Sequence, residues 1–187
     1  GKRVVVTGAA SGMGEAGVAL LAELGAETIA LDVKPVIGPV AKFIETDLGK
    51  EESVDAAVSA IDGQIDALLN FAGLPGAPFP GLQVVNVNFS GHVHLTEKLL
   101  PRMNKGAAIT SITSLAGMAY LQKIQELMPG AMVSDFKGAA AFAEANVGDT
   151  DGYGLSKELL NLWTLVKAKE YGEKYRVRIN AVAPGAT

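Results

Sequence analysis

Short runs of β-branched and aliphatic residues alternate along this chain with longer segments whose apolar positions recur at helical spacing. The first kind predicts strands at 3–7, 27–31, 42–45, 66–70, 107–113 and 176–182; the second predicts helices at 12–24, 51–61, 82–103 and 153–171. Strand and helix in alternation mark parallel strands joined by crossover helices, hence an α/β fold. Val4-Val5-Val6 and Ala67-Leu68-Leu69 show no polar alternation, which suits central strands covered on both faces. The rhythm breaks at 115–152, an insertion with helical character around 118–128 and 133–145 and an interruption at Pro129-Gly130. It is expected either to be a plain surface insertion or to serve as a lid, pocket wall or subunit contact.

Composition narrows the class. A chain of 187 residues with 49% hydrophobic positions is expected to form a single domain, 1–187, that buries enough apolar surface to fold. Its 22 glycines and 6% aromatics favour tight turns and close backbone packing, as in helix-on-sheet proteins. A net charge of −4 speaks against nucleic acid as a partner. There is no cysteine, so disulfides, thiolate metal sites and a cysteine nucleophile are excluded, and a cytoplasmic enzyme is expected. No stretch approaches the roughly 18 apolar residues of a membrane span. The apolar run after Gly1-Lys2-Arg3 is too short for a signal peptide and turns at once into glycines.

The first strand runs into Thr7-Gly8-Ala9-Ala10-Ser11-Gly12-Met13-Gly14 and then an apolar helix. Gly8 permits the tight turn, Gly12 lets backbone approach a pyrophosphate, and Gly14 lets the helix pack closely on the sheet, with Ser11 and Met13 beside them. The helix start offers N–H groups and a positive dipole end to phosphates. Asp32, ending the second strand, is placed to accept hydrogen bonds from an adenosine ribose and to repel a 2′-phosphate, so NAD is expected over NADP, with Lys34 softening the discrimination. Asp47 and Leu48 follow the third strand, where contact with the adenine edge and helix N-capping by Asp47 are both open. Ala72 and Gly73, after the fourth strand, are small enough for close backbone approach to a cofactor.

Tyr153 and Lys157 stand at i, i+4, on one helix face. A free phenol, with a pKa of about 10, is a poor base near neutrality unless positive charge stabilises its anion, and Lys157 supplies such a charge. Together, Thr7-Gly8-x-x-x-Gly12-x-Gly14, Asn70-x-Ala72-Gly73, Asn88, Ser114, Tyr153-x-x-x-Lys157 and Pro184-Gly185 resemble, in order and over nearly the whole chain, the short-chain dehydrogenase/reductase family in its compact form.

The resemblance implies a doubly wound Rossmann fold, with strand order 3-2-1-4-5-6 and helices on both faces, that passes a hydride between NAD(H) and an alcohol or carbonyl carbon. It implies that Tyr153 is the general acid/base, Ser114 holds the substrate oxygen, and Lys157 binds the nicotinamide ribose and lowers the Tyr153 pKa. It further implies that Asn88 anchors a relay water, that Pro184-Gly185 cradles the nicotinamide, and that Thr187 reaches the carboxamide or phosphates. A homo-oligomer is the family's habit. Phe71 departs from the family, which often has asparagine there, and the gap from Ser114 to Tyr153 is longer than usual. A long insertion here is similar to the branch containing bacterial 3α-hydroxysteroid dehydrogenase/carbonyl reductase, which makes a steroid-like or cyclic secondary alcohol or ketone the expected substrate. Gly1 in first place and an end just after Pro184-Gly185 are expected of a segment of a longer protein. An epimerase or dehydratase with transient hydride transfer, and an NAD-binding regulatory protein without catalysis, are the alternatives. His92 and His94, two apart on a helix, face different ways and make a poor metal pair, so no metal is expected.

Overall fold

The computed structural model describes residues 1–185. Its strands are β1 (Arg3–Thr7), β2 (Glu27–Asp32), β3 (Lys42–Glu45), β4 (Ile65–Asn70), β5 (Met103–Ile112) and β6 (Arg178–Val182). They form one parallel sheet in the order β3-β2-β1-β4-β5-β6. The helices are α1 (Gly12–Glu23), α2 (Glu51–Ala60), α3 (Gly81–Val85), α4 (Gly91–Leu99), α5 (Ile124–Ala131), α6 (Phe136–Asn146) and α7 (Tyr153–Glu170). This is the doubly wound Rossmann arrangement, whose ligand crevice lies where the order reverses between β1 and β4.

The larger core lies on one face, where Val54 of α2, Val93 of α4 and Leu159, Leu160 and Trp163 of α7 pack on Val5, Leu68 and Ile109 of the strands. On the other face Val18 of α1 meets Val4, Val6 and Ala30. Val4, Val5 and Val6 are all buried, as an unalternating strand requires. Ala67-Leu68-Leu69 lies in β4, a central strand between β1 and β5 as expected, but the expectation of full cover on both faces is corrected. Leu68 is fully buried, but Ala67 and Leu69 are half-buried, because α1 covers β1 and β2 and leaves a groove of about 390 Å³ beside Leu21, Leu24 and Ala67.

Three boundaries also move. The helix expected over 82–103 is α3, a π-helical turn (Asn86–Ser90), α4 and a 3₁₀ turn (Leu100–Arg102), and Met103 already belongs to β5, paired with Ile65. β6 starts at Arg178 because Arg176 adopts a left-handed backbone, φ 60°, closing the turn after α7. In the insertion, a 3₁₀ segment (Leu115–Gln122) precedes α5, and Pro129-Gly130 lies inside α5 instead of breaking it. The break falls later, where the Asp135 side chain accepts the Gly138 N–H at 2.7 Å and caps α6. Gly130 serves packing: a Cβ there would meet Phe142 at 2.6 Å and Leu159 at 2.8 Å. The insertion therefore lies on α7, held also by Lys123 on buried Glu158 and by Ser134 on buried Lys167.

Candidate active site

The turn from β1 into α1 is shaped by its glycines. Gly8 (φ 67°) has backbone of Ala72 2.6 Å from where its Cβ would be, and a Cβ on Gly14 would lie 1.9 Å from the Gly8 carbonyl oxygen. Gly12 differs: its φ is 56°, and nothing lies within 4 Å of its missing Cβ. Ser11, exposed, flanks α1 with no side-chain capping bond. Open space over Gly12 at the N-terminus of a long helix fits the diphosphate of a dinucleotide. Gly14→Ala is expected to cost at least about 2–3 kcal/mol, since backbone must move. Gly12→Ala is expected to cost about 1–2 kcal/mol through its left-handed backbone alone. Both should weaken cofactor binding, and thermal unfolding with a fluorescence titration of NADH separates the two effects; equal stability losses would refute the division of roles.

Asp32 is tied to this turn. One carboxylate oxygen accepts the Ala10 N–H and the other the Lys34 N–H, each at 2.9 Å, and each keeps a lone pair for a ligand hydroxyl. Asp47 does not cap α2. Its carboxylate accepts the Gly49 N–H at 2.9 Å and pairs with Lys50, the residue flanking α2. The Leu48 side chain is buried in the core, leaving only its backbone for any ligand.

At the far end of the crevice Ser114 follows β5 and caps the 3₁₀ segment, its Oγ accepting the Ala116 N–H at 3.2 Å. Gly117 lets that segment lie against α7, since a Cβ there would sit 2.6 Å from the Lys157 backbone, and Asn161 donates to the Gly117 carbonyl at 3.1 Å. Tyr153 opens α7, its N–H held by Asp151 Oδ1 at 3.0 Å. One turn on, Lys157 is buried, donates to the Ile112 carbonyl at 2.8 Å and stands 5.6 Å from the centroid of the Tyr153 ring. Burial pulls its pKa down from 10.5 to about 8.

A cleft of about 240 Å³ collects Met13, Gly73, Ser114, Tyr153, Lys157 and Gly185 in its walls. Pro184 also lines it, and its carbonyl accepts the Leu115 N–H at 3.4 Å. Thr187 lies outside the described residues. Phe71 lines the cleft as well, with its ring against Gly17.

Asn88 sits in the π-helical turn, fully buried. Its Oδ1 accepts the Leu74 N–H at 2.7 Å, and its amide donates to the Leu74 carbonyl at 3.0 Å and to Ser156 Oγ at 3.2 Å. Both amide hydrogens are thereby spent, so a water held by this residue would have to use its oxygens. Ala72 donates its N–H to Thr7 Oγ1 at 3.1 Å, and Gly73 passes so close that a Cβ would lie 3.3 Å from Asn88 Oδ1 and 3.7 Å from Lys157 Nζ. Thr7, Ile112 and Ser156, which hold these groups in place, carry no motif signal beyond Thr7's place before the first glycine.

The two histidines face apart and are both buried. Glu51, Asp55 and His94 bring three donor atoms within 4.8 Å of one another. The His94 Nδ1 lone pair accepts the Phe136 N–H at 3.2 Å, so its Nε2 bears the hydrogen, which points at Asp55 Oδ1, 2.9 Å away. That tautomer leaves no ring lone pair for a metal and makes His94 a clasp between α2, α4 and α6.

The sequence pattern of the short chain dehydrogenase family matches residues 2–126. This chain belongs to the short-chain dehydrogenase family. It is 36% identical over 187 residues to coniferyl-alcohol dehydrogenase of a Pseudomonas species, spanning 98% of this chain and 72% of that protein. It is 28% identical over 190 residues to the 3α-hydroxysteroid dehydrogenase/carbonyl reductase of Comamonas testosteroni, with the same 98% and 72% coverage. The solved 3α-hydroxysteroid dehydrogenase of Pseudomonas sp. B-0831, complexed with NADH, superposes with a TM-score of 0.78 at 27% identity, covering 98% of this chain and 72% of that one. The short-chain dehydrogenase described here is accordingly an oxidoreductase of the alcohol dehydrogenase type in a family that binds a nicotinamide cofactor. Among the described residues no helix is long and apolar enough to cross a membrane.

Proposed function

We propose that this short-chain dehydrogenase interconverts a cyclic or aromatic secondary alcohol and its ketone, using NAD(H). The observation that carries the reading is the single cleft into which Ser114, Tyr153 and Lys157 converge beside the β1–α1 turn. A bound nicotinamide supplies or accepts the hydride. Tyr153 gives a proton to the substrate oxygen in reduction and takes it back in oxidation, while Ser114 donates a hydrogen bond to the same oxygen and fixes it. The Lys157 ammonium, with one donor spent on Ile112, keeps two for ribose hydroxyls and stabilises negative charge on the Tyr153 oxygen. Gly8, Ser11, Gly12, Met13 and Gly14 hold the diphosphate, Ala72 and Gly73 the middle of the cofactor, and Pro184-Gly185 its nicotinamide end.

Two features support the finer choices. The Asp32 carboxylate, braced by two backbone N–H groups beside the glycine turn, favours ribose hydroxyls over a 2′-phosphate, in line with the NADH held by the 3α-hydroxysteroid dehydrogenase. Leu74, Pro75 and Met13 in its walls, with exposed Leu115 beside Gly185, give the cleft apolar surface suited to ring systems such as those named for the relatives. A homo-oligomer in the cytoplasm completes the reading, supported by family habit and the absence of cysteine.

An NAD(H)-coupled absorbance screen of steroids, cyclic ketones and aromatic alcohols tests this; net turnover with none of them refutes it and leaves the epimerase or regulatory alternatives. Asp32→Ala is expected to raise the KM for NAD about tenfold or more and to improve use of NADP, since a hydrogen-bonding and repelling carboxylate is lost. An unchanged cofactor ratio in steady-state kinetics would remove Asp32 from the discrimination.

A further inference from the structure

His92 is fully buried on α4, four residues beyond Asn88, and no part of the proposed proton transfer uses it. Its two ring nitrogens meet two different parts of the site. Nδ1 lies 3.1 Å from the Asn88 main-chain carbonyl, and Nε2 lies 3.3 Å from Thr7 Oγ1. A carbonyl oxygen only accepts, so Nδ1 carries the hydrogen. Thr7 Oγ1 already accepts the N–H groups of Phe71 and Ala72, each at 3.1 Å, which fills both its lone pairs and leaves its own hydrogen to donate to Nε2. Both ends therefore demand the same tautomer, neutral and protonated at Nδ1.

The chain of bonds reaches further. Thr7 is the last residue of β1 and precedes the first glycine of the nucleotide turn. Asn88 clamps both backbone groups of Leu74, so the segment 71–74 is held at its start by Thr7 and at its end by Asn88. That segment includes Gly73, which passes beside Lys157 Nζ. We propose that His92 is a positioning residue for the reaction: its neutral imidazole joins the mouth of the nucleotide turn to the wall of the proton-handling site and sets the 71–74 segment between them. The inference rests on the assignment of Tyr153 and Lys157 given above. Burial, reinforced by the charge of Lys157, pushes the His92 pKa down to about 3, so the linker stays in one state across the working range.

The wild-type protein offers a first test. Imidazole ¹⁵N NMR is expected to show His92 as the Nδ1–H tautomer with no titration between about pH 5.5 and 9; an Nε2–H form or a titrating ring overturns the chain of bonds. Two variants then divide the linker. The amide of His92→Asn reaches the Asn88 carbonyl and not Thr7, whereas that of His92→Gln reaches Thr7. His92→Asn is expected to hold kcat within about threefold while raising the NADH KM about tenfold, and His92→Gln to do the reverse. A residue that only fills space would lower the melting temperature and the activity of both variants in parallel, with no split between kcat and KM, and that result overturns the proposal. Absence of nicotinamide-dependent turnover in the wild type overturns the assignment of Tyr153 and Lys157 instead, and the imidazole spectrum then decides the hydrogen-bond chain by itself.

Discussion

Tyr153→Phe is expected to bind NADH as tightly as the wild type, within about threefold, and to turn over about a thousandfold more slowly. The substitution removes one oxygen and little else. The Tyr153 N–H stays on Asp151, a bond made by backbone, and its Cβ keeps its place near Gly76. Lys157 is held by the Ile112 carbonyl and not by the phenol, so the ammonium keeps its position when the hydroxyl goes. The nucleotide turn and Asp32 lie at the other end of the crevice and feel no change. Steady-state absorbance gives kcat and a fluorescence titration gives the dissociation constant. Loss of both together would show that the phenol supports the fold or the cofactor. Full activity would remove it from proton transfer.

The parts of this site that sequence made legible are those in which a residue type is demanded by backbone or by chemistry. Gly8 and Gly14 are forced by contacts shorter than any Cβ tolerates, and Gly12 by a left-handed backbone over open space, so the glycine pattern carried its own structural reason. Tyr153 and Lys157 were legible because one helical turn puts them on one face. Val4-Val5-Val6 announced a central strand, and the strand order followed from the family's topology.

What stayed hidden depends on neighbours distant in sequence. Nothing local shows that Pro129 would sit inside a helix, because the Asp135 cap and the fit of Gly130 against Phe142 and Leu159 decide where α5 ends. Nothing local distinguishes Ala67, half-buried, from Val6, fully buried on the same face of the sheet, since the difference is how far α1 extends across it. His92 read as an ordinary helix position. Its distant partner Thr7 arrives from β1, itself bound by Phe71 and Ala72 from beyond β4, and the one nearby signal was an imidazole four residues beyond Asn88 in a stretch otherwise fit for burial. Asn88 was found by its motif, but its bonds to Leu74 and Ser156 show the side chain bracing a loop.

Lys157→Met is expected to separate stability from activity, with opposite signs. The wild-type ammonium is buried, and a pKa drawn down from 10.5 to about 8 means that the charged form is disfavoured in the folded state by about 3 kcal/mol. The bond to Ile112 offsets about 1 kcal/mol of the gain on removal, because the variant leaves that carbonyl without its donor. At neutral pH the variant should therefore be more stable by about 1–2 kcal/mol. Turnover should fall about a thousandfold, since the charge that stabilises the Tyr153 oxygen and the donors for the ribose are gone. The pH dependence fixes the cause. Between about 8 and 10.5 the unfolded chain binds a proton at Lys157 that the folded chain has released, so this residue makes wild-type stability rise with pH through that window, and the full penalty is present below it. Denaturant unfolding of wild type and variant at a series of pH values isolates the residue by difference: the variant's advantage should shrink from pH 8 to 10.5. An advantage that grows over that range, or a variant that unfolds more easily at pH 7 yet keeps normal turnover, would mean that the ammonium stabilises the fold and does not serve the reaction.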